Sequence, residues 1–298
     1  MQHRGNGCGS RALRLRATDV PSRFVPDEIP SDVGSIAIAG PWLTPALIPD
    51  LNAGEVHVWR VTMPDRMSEQ LLDCLDEDEV DKMRRFRNDV DARRFATGRV
   101  AVRILLGHYL GRAPRAITFD RTCRYCGENH GKPRIDNEQD LDFNVSGSGQ
   151  LVLIAVAIKC VIGVDVEATT ERARGESDPA NAGEWGSTEI AALVLSPHEQ
   201  HVFGSDELVQ VWCCKEAVLK AVGLGLAIEP RCLVIAHHGA GLRVIDAPHD
   251  HAELLELSIF PLHVASGYAA ALASRPAPDR LHLFAMSADE LARGRVST

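Results

Sequence analysis

Apolar and polar residues alternate along residues 55–63 (EVHVWRVTM), which predicts a strand because successive strand side chains point to opposite faces. Residues 66–110 instead carry apolar residues three and four positions apart, the spacing of one buried helix face. Residues 151–158 (LVLIAVAI) form the longest uninterrupted apolar run, which favours a buried strand. The pattern therefore predicts a mixed fold of the α/β (α+β) class.

A weak internal repeat indicates two related halves. Residues 101–119 align without gaps on residues 217–235, and Ala, Val, Gly, Leu, Pro and Arg recur in register. Each copy predicts a helix, a glycine-containing stop, a proline turn and a short strand. A fainter similarity links the segment that begins at Ser148 (SGQLVLIAVA) with the one that begins at Ser266 (SGYAAALASR). We infer two α/β halves that meet near residue 160, with a ligand cleft between them.

The remaining composition suggests how the chain is divided. Residues 1–40 are rich in Arg, Pro, Gly and Ser without a clear period, which predicts a disordered tail. An N-terminal half would then cover residues 41–160, a C-terminal half residues 161–286, and a second tail residues 287–298. Within the C-terminal half, the polar, glycine-rich residues 168–187 predict a long mobile loop.

Charge and cysteine content exclude several classes of protein. The net charge of −9 argues against a general nucleic-acid binder, which carries a basic surface. The apolar run of residues 151–158 is well below the ~20 residues of a membrane helix, and the arginine-rich N-terminus lacks the apolar segment of a secretory signal. Eight dispersed cysteines are not a disulfide framework and favour a reducing cytoplasm. We expect a cytoplasmic protein without nucleic-acid or membrane partners.

A second short apolar segment follows the apolar run of residues 151–158. It ends in two carboxylates, Asp165 and Glu167, within residues 163–167 (GVDVE). In a strand, Val164 and Val166 would face the core while Asp165 and Glu167 project together on the other side. Adjacent carboxylates repel unless a cation or a proton lies between them, and Mg²⁺ is bound by one or two carboxylates plus substrate phosphates. The alternative is a strand end with two solvated acids.

A second pair of charges lies in residues 211–226 (VWCCKEAVLKAVGLGL), a predicted helix that ends near two glycines. Glu216 and Lys220 are four positions apart and therefore share one face of this helix. They suit a metal carboxylate followed by a phosphate-binding lysine. The alternative is an exposed salt bridge worth about 0.3–0.5 kcal/mol.

Four motifs occur in a fixed order: GKP (131–133), FNVSGS (143–148), IGVDVE (162–167) and WCCKEAVLKAVGLGL (212–226). This order resembles the Sfp-like 4'-phosphopantetheinyl transferases, which typically show GKP, N-[LI]-S-H-S, G-[IV]-D-[IV]-E and W-x-x-K-E-[AS]-x-x-K. The similarity extends from roughly residue 70 to residue 235. It implies a pseudo-twofold pair of α/β halves, in agreement with the internal repeat.

The resemblance also implies the chemistry. Asp165, Glu167 and Glu216 would hold Mg²⁺, which binds the pyrophosphate of coenzyme A. Lys220 would neutralise phosphate charge as 3',5'-ADP leaves, and Glu216, or a water that it orients, is the candidate base. The attacking group is a serine hydroxyl of an acyl or peptidyl carrier protein. Lys215 matches a motif lysine and is expected to bind the coenzyme.

Further coenzyme contacts are implied upstream. Lys82 and Arg94 best match the family's cations for the 3'-phosphate, while Lys132 and Pro133 of GKP and Ser146 of FNVSGS would lie near the coenzyme. For the basic residues of this region, the alternative is a solvated basic face that balances the acids at positions 76–81.

One position departs from the family pattern. Gly147 stands where the family motif has a histidine that touches coenzyme phosphate. Its absence predicts slower transfer or weaker coenzyme binding, in part compensated by a nearby cation such as Arg94. A catalytically weak coenzyme A or carrier-protein binding module is therefore the alternative function. A third hypothesis is an interaction protein that binds zinc through Cys123, Cys126 and His130 (CRYCGENH), although no fourth ligand is evident.

Overall fold

The computed structural model describes residues 41–136, 138, 140–169, 188–239 and 241–293. The predicted tail of residues 1–40 lies outside the described residues, as does most of the predicted loop of residues 168–187. Ala168, the first residue of that predicted loop, is instead the last residue of a strand.

Eleven strands occur in the described residues: β1 Glu55–Thr62, β2 Phe119–Thr122, β3 Asn129–Ile135, β4 Leu141–Ser148, β5 Leu151–Ile158, β6 Val161–Ala168, β7 Val234–His238, β8 Gly241–Asp246, β9 Ser258–Pro261, β10 Tyr268–Arg275 and β11 Arg280–Ser287. The α-helices of the same part of the chain are α1 Glu69–Leu72, α2 Glu77–Arg84, α3 Asp89–Leu110, α4 Thr188–Val194, α5 Leu208–Val222 and α6 Ala288–Arg293. Of these helices, none is long and apolar enough to cross a membrane.

The strands form two larger sheets and one separate hairpin. The first sheet has the order β11-β1-β5-β4, in which β1 pairs parallel with β11 and antiparallel with β5. The second sheet is antiparallel throughout, with the order β6-β10-β9-β8-β7. Strands β2 and β3 pair only with each other in the described residues. Helix α3 packs on the first sheet and helix α5 on the second, which confirms the predicted fold class of two α/β halves.

The two sheets also pack against each other. Val58 and Leu153 of the first sheet share an apolar core with Val164 and Leu272 of the second, and all four are fully or almost fully buried. The opposite face of the first sheet is covered by α3, so β5 is apolar on both faces. This double burial explains the uninterrupted apolar run of residues 151–158.

The internal repeat corresponds to a repeated structure, with one difference. Pro114 and Pro230 each begin a short 3₁₀ turn that leads into a strand, as the alignment predicts. Gly223 ends α5 in the left-handed conformation, but its aligned partner Gly107 lies inside α3. Helix α3 continues to Gly111, and Gly107 is needed because a Cβ there would press on the backbone of the turn at Pro114. A glycine therefore ends the helix in both copies, but in the first copy it is Gly111 instead of the aligned Gly107.

The end of the chain differs from the predicted division at residues 161–286 and 287–298. Strand β11 lies beside β1 in the first sheet, so the last strand returns to the N-terminal half. Residues 288–293, expected in a tail, form α6, which packs on α3 and buries Leu291 completely. Parallel pairing between strands so distant in sequence leaves no local pattern from which to predict it.

Candidate active site

One edge strand from each sheet, β4 and β6, meet at a seam between the two halves. Side chains join these strands: the Asn144 Oδ1 accepts the Val164 N–H at 2.9 Å, and the Ser148 Oγ accepts the Ala168 N–H at 3.0 Å. Because alternate strand residues share a face, β4 presents a polar row to β6. The row consists of Asp142, Asn144, Ser146 and Ser148. The alternation of polar residues in 142–148 was the signal for this seam, and sequence reasoning missed it.

Asp165 lies at the centre of the seam and is 2% exposed. Its Oδ1 accepts hydrogen bonds from the Ser146 hydroxyl at 2.8 Å and from the Lys220 ammonium at 2.5 Å. Lys220 also lies 3.0 Å from the Ser146 Oγ. The structure thus brings together Ser146, Asp165 and Lys220, three residues that the sequence motifs place far apart in the chain.

Two further carboxylates lie beside this group. Glu167 accepts a hydrogen bond from the Ser148 hydroxyl at 2.8 Å. Burial raises the pKa of Glu167, as does the adjacent charge of Asp165. Burial also raises the pKa of Glu216, although Lys220 opposes that shift. Burial lowers the pKa of Lys220, but Asp165 and the two glutamates together raise it above its ordinary value.

Two carboxylate oxygens of the site are buried without a hydrogen-bond partner among the described residues: Asp165 Oδ2 and Glu216 Oε1. A buried anionic oxygen that lacks a partner is costly, because it has lost its water and gained nothing in exchange. The Lys220 ammonium contacts Asp165 through the other oxygen, Oδ1. The site therefore carries more negative charge than its own lysine neutralises, which is the environment that a cation would stabilise.

Glycine at position 163 sets the distance between β6 and α5. A Cβ at this position would overlap the Ala217 carbonyl oxygen and the backbone of Ala221, so no larger residue fits without moving the helix. This close approach places Glu216 and Lys220, which share one helix face, directly over the carboxylates of β6. The first glycine of GVDVE thus positions the site although it contributes no functional group.

Lys215 does not belong to the site, contrary to the prediction. Its side chain is fully buried, and its ammonium donates to Glu199 at 2.6 Å and to the carbonyls of Val194 and Pro230. One residue along a helix rotates the side chain by about 100°, so Lys215 faces away from Glu216 and the seam. Its three donors hold the second half together and are not available to coenzyme A.

Lys132, predicted to lie near the coenzyme, makes contacts that the sequence did not indicate. Its ammonium donates to Asp142 at 2.5 Å, to the Ile162 carbonyl at 2.7 Å and to the Ala221 carbonyl at 3.0 Å. All three protons of the ammonium are used within the protein, one on Asp142 of the first half and two on carbonyls of the second half. Lys132 therefore stabilises the seam. A groove of about 840 Å³ runs beside Lys132 and is lined by residues of both halves. Arg134, which follows Pro133 in the chain, is one of these residues.

Arg94 lies over the position that the family histidine would occupy. A Cβ on Gly147 would stand 3.3 Å from both Cγ and Cδ of Arg94. The guanidinium donates to the Gly149 carbonyl at 3.1 Å and pairs with Asp91. The missing histidine side chain is therefore replaced in space by the arginine stem, and a cation remains next to the seam.

Lys82 lies in a different basic group. Its ammonium is 5.3 Å from the centre of the Phe95 ring, and Arg99 packs on the same ring. Burial lowers the pKa of Lys82, and the charges of Arg99 and Arg121 lower it further. These three cations are close enough to repel, so an anion bound among them would be stabilised.

Two clusters of the described residues bring three potential ligand atoms within 4.8 Å of one another: Cys123 with Cys126 and His130, and Glu55 with His57 and His282. The three carboxylates Asp165, Glu167 and Glu216 do not form such a compact cluster. Burial raises the pKa values of both glutamates, and repulsion among the three acids raises them further.

Comparisons with known proteins agree with this architecture. The family model described as "4'-phosphopantetheinyl transferase, N-terminal" matches residues 58–159, and that of the 4'-phosphopantetheinyl transferase superfamily matches residues 161–273. The 4'-phosphopantetheinyl transferase HetI of Nostoc is 34% identical over 189 residues, which cover 59% of this chain and 72% of the relative. Sfp of Bacillus subtilis is 26% identical over 186 residues, 62% of this chain and 76% of the relative. The boundary between the two family models coincides with the start of β6. The chain belongs to the 4'-phosphopantetheinyl transferase superfamily.

Proposed function

We propose that this protein transfers the 4'-phosphopantetheine arm of coenzyme A to a serine of an acyl or peptidyl carrier protein and releases 3',5'-ADP. Family membership supports the reaction, and one observation carries the proposal within this chain. Asp165 and Glu167 of β6 and Glu216 and Lys220 of α5, all in the second half, converge at the seam with the first half. Two buried carboxylate oxygens there have no hydrogen-bond partner among the described residues. Coenzyme A and an apo carrier protein are the substrates.

We further propose that Asp165, Glu167 and Glu216 hold Mg²⁺. The residues fit this ion because all three offer hard carboxylate oxygens, and because Asp165 Oδ2 and Glu216 Oε1 lack another partner in the described part of the chain. Carboxylates that already lie near one another would be relieved of their repulsion by a divalent cation. When bound, the ion would supply positive charge to the coenzyme pyrophosphate.

The residues of this chain would then act on the reaction as follows. The carrier serine Oγ forms a bond to the phosphorus of the phosphopantetheine group, while the bond from that phosphorus to the 3',5'-ADP oxygen breaks. Glu216, directly or through a water, accepts the serine proton. Lys220, whose raised pKa keeps it charged, neutralises the negative charge that develops on the leaving 3',5'-ADP.

Ser146 has a positioning role in this proposal. Its hydroxyl donates to Asp165 and lies within hydrogen-bond distance of Lys220, so it fixes both charged groups relative to β4. Lys82 and Arg94 remain proposed contacts to coenzyme phosphates, because each places a cation outside the carboxylate group. Pro133, which stands in the chain between the groove-lining residues Lys132 and Arg134, remains a proposed neighbour of the nucleotide.

Arg94→Ala is expected to weaken coenzyme A binding by about 10- to 100-fold, since a hydrogen bond to a charged group contributes roughly 1.5–3 kcal/mol. The measurement is calorimetric titration of coenzyme A in the presence of Mg²⁺. If Arg94 replaces the family histidine, the double variant Arg94→Ala/Gly147→His should recover part of the lost affinity, because alanine removes the stem that crowds position 147.

Arg93→Ala provides the matched control, because this adjacent arginine contacts the Asp65 carbonyl on another side of the helix. It should bind coenzyme A as the wild type does. Equal affinity of Arg94→Ala and Arg93→Ala would contradict the phosphate contact, and failure of the double variant to improve on Arg94→Ala would contradict the replacement.

The proposed reaction is tested by incubating the protein with coenzyme A, Mg²⁺ and an apo carrier protein and measuring the intact mass of the carrier. We expect a mass increase of one phosphopantetheine group, absent from a carrier whose acceptor serine is replaced by alanine. An unmodified carrier, together with measurable coenzyme A binding, would instead show a binding module. Several apo carriers should be assayed, so that a mismatch with one carrier is recognised.

A further inference from the structure

One of the two compact clusters, formed by Cys123, Cys126 and His130, lies at the hairpin of β2 and β3. The hairpin loop is closed by two backbone hydrogen bonds: the Cys123 N–H donates to the Glu128 carbonyl at 2.8 Å, and the Gly127 N–H donates to the Cys123 carbonyl at 2.9 Å. Gly127 has φ +76°, a left-handed conformation in which glycine is favoured. This tight turn directs the side chain of Cys126 back toward that of Cys123.

The three side chains are arranged as ligands. One atom each from Cys123, Cys126 and His130 lies within 4.8 Å of the others, and the Cys126 Sγ is 2.9 Å from the His130 Nε2. These three side chains are therefore close enough to one another to bind the same metal ion.

The ladder of backbone pairs between β2 and β3 is short. The hairpin is paired at Phe119, Asp120 and Thr122 only, with an irregularity between the last two. A two-stranded hairpin of this size is marginal by itself, and an ion that joins its two strands would stabilise it. At Gly131, a Cβ would be 2.8 Å from the Cys123 Cα, so the strands approach closely where the ligands converge.

We propose that Cys123, Cys126 and His130 bind one Zn²⁺ ion that fixes the β2–β3 hairpin. Two thiolates and an imidazole are the ligands preferred by zinc, whereas Mg²⁺ takes oxygen ligands. Cys126 and His130 are exposed, so the fourth position of a tetrahedral zinc is open to a water molecule.

The location gives this zinc a structural consequence. Strand β3 carries Lys132, two residues after His130, and the Lys132 ammonium joins Asp142 to the Ile162 carbonyl across the seam. An ordered hairpin therefore supports one of the contacts between the two halves. This role is independent of the transfer reaction and of the Mg²⁺ proposed for the carboxylates.

The test is elemental analysis of the full-length protein, purified under reducing conditions and without added chelator. We expect about one zinc per chain in the wild type and almost none in Cys126→Ser or His130→Ala. His282→Ala is the matched control, because it removes a ligand of the other compact cluster and should keep its zinc. Co²⁺ added to the metal-free wild type should show thiolate-to-cobalt absorption that Cys126→Ser lacks.

A second readout measures stability and requires no activity. A zinc-selective chelator, added in excess Mg²⁺, should lower the melting temperature of the wild type but leave that of Cys126→Ser unchanged. Three outcomes would overturn the proposal: no tightly bound zinc or cobalt in the reduced wild type, zinc retained by Cys126→Ser but lost from His282→Ala, or melting that does not respond to zinc removal. Activity with a carrier protein decides none of them, so the two proposals fail separately.

Discussion

Asp165→Asn and Glu216→Gln are each expected to lower phosphopantetheine transfer by about 10²- to 10³-fold, the cost of removing one charge-stabilising group from an active site. Each variant keeps the shape of its side chain but removes the negative charge proposed to bind Mg²⁺. In Asp165→Asn, the carbonyl oxygen of the new amide can still accept the hydrogen bonds that Ser146 and Lys220 give to Asp165. The rate is measured as carrier protein converted from apo to holo form, with coenzyme A and Mg²⁺ in excess.

The control separates charge at the seam from charge in general. Asp206 is an exposed carboxylate shortly before α5, so Asp206→Asn should transfer at the wild-type rate. All three variants should melt near the wild-type temperature, because neutralising a carboxylate at the seam also removes repulsion between the acids. Near-normal turnover in either seam variant, with Mg²⁺ present, would contradict the metal assignment.

Gly163→Ala is expected to destabilise the fold by roughly 1–3 kcal/mol, the usual cost of forcing an additional methyl group into a packed core. Its Cβ would meet backbone atoms of Ala217 and Ala221, which cannot rotate away as a side chain can. Helix α5 must therefore shift from β6 and carry Glu216 and Lys220 with it. We expect both a lower free energy of unfolding in urea and a lower transfer rate.

Gly98→Ala is the matched control for this substitution. It lies inside α3, where a Cβ would make ordinary contacts of 3.6 Å with Val152 and 3.7 Å with Val145. Alanine is a better helix former than glycine, so this variant should be unchanged or more stable by about 0.5–1 kcal/mol. If Gly163→Ala were as stable as Gly98→Ala, the close contact between β6 and α5 would not be essential.

The sequence pattern predicted the architecture well where the signal was local. The alternation in residues 55–63, the apolar run of residues 151–158 and the proline turns of the repeat all correspond to observed elements. The return of β11 to the first sheet was not predictable in this way, because parallel partners at opposite ends of the described chain share no local pattern.

The positions of the site residues were predicted from strand and helix periodicity and from the family resemblance, and these two kinds of argument did not succeed equally. Strand alternation correctly placed Val164 and Val166 in the core and separated them from Asp165. Helix period correctly grouped Glu216 with Lys220, and the same argument should have excluded Lys215, which is rotated away toward Glu199. Resemblance alone assigned Lys215 to the coenzyme, and it could not reveal a buried ion pair within the second half.

Lys132 illustrates a different limit of sequence reasoning. The family resemblance implied only that Lys132 lies near the coenzyme, and it gave no sign that the ammonium joins Asp142 to two carbonyls of the second half. Three acceptors from three separate segments converge only in the folded chain. The seam is also visible only in the folded chain, because the polar row of β4 accepts hydrogen bonds from the backbone of β6.

The central claim, that the seam carboxylates bind a divalent cation with coenzyme A, is tested most directly by electron paramagnetic resonance with Mn²⁺ in place of Mg²⁺. Free Mn²⁺ gives a strong solution signal that decreases on binding, so the titration counts bound ions without any requirement for turnover. With coenzyme A present, the wild type should bind one Mn²⁺ that excess Mg²⁺ displaces, whereas Asp165→Asn and Glu216→Gln should bind it at least about tenfold more weakly. Equal Mn²⁺ affinity in the wild type and both variants would contradict the account.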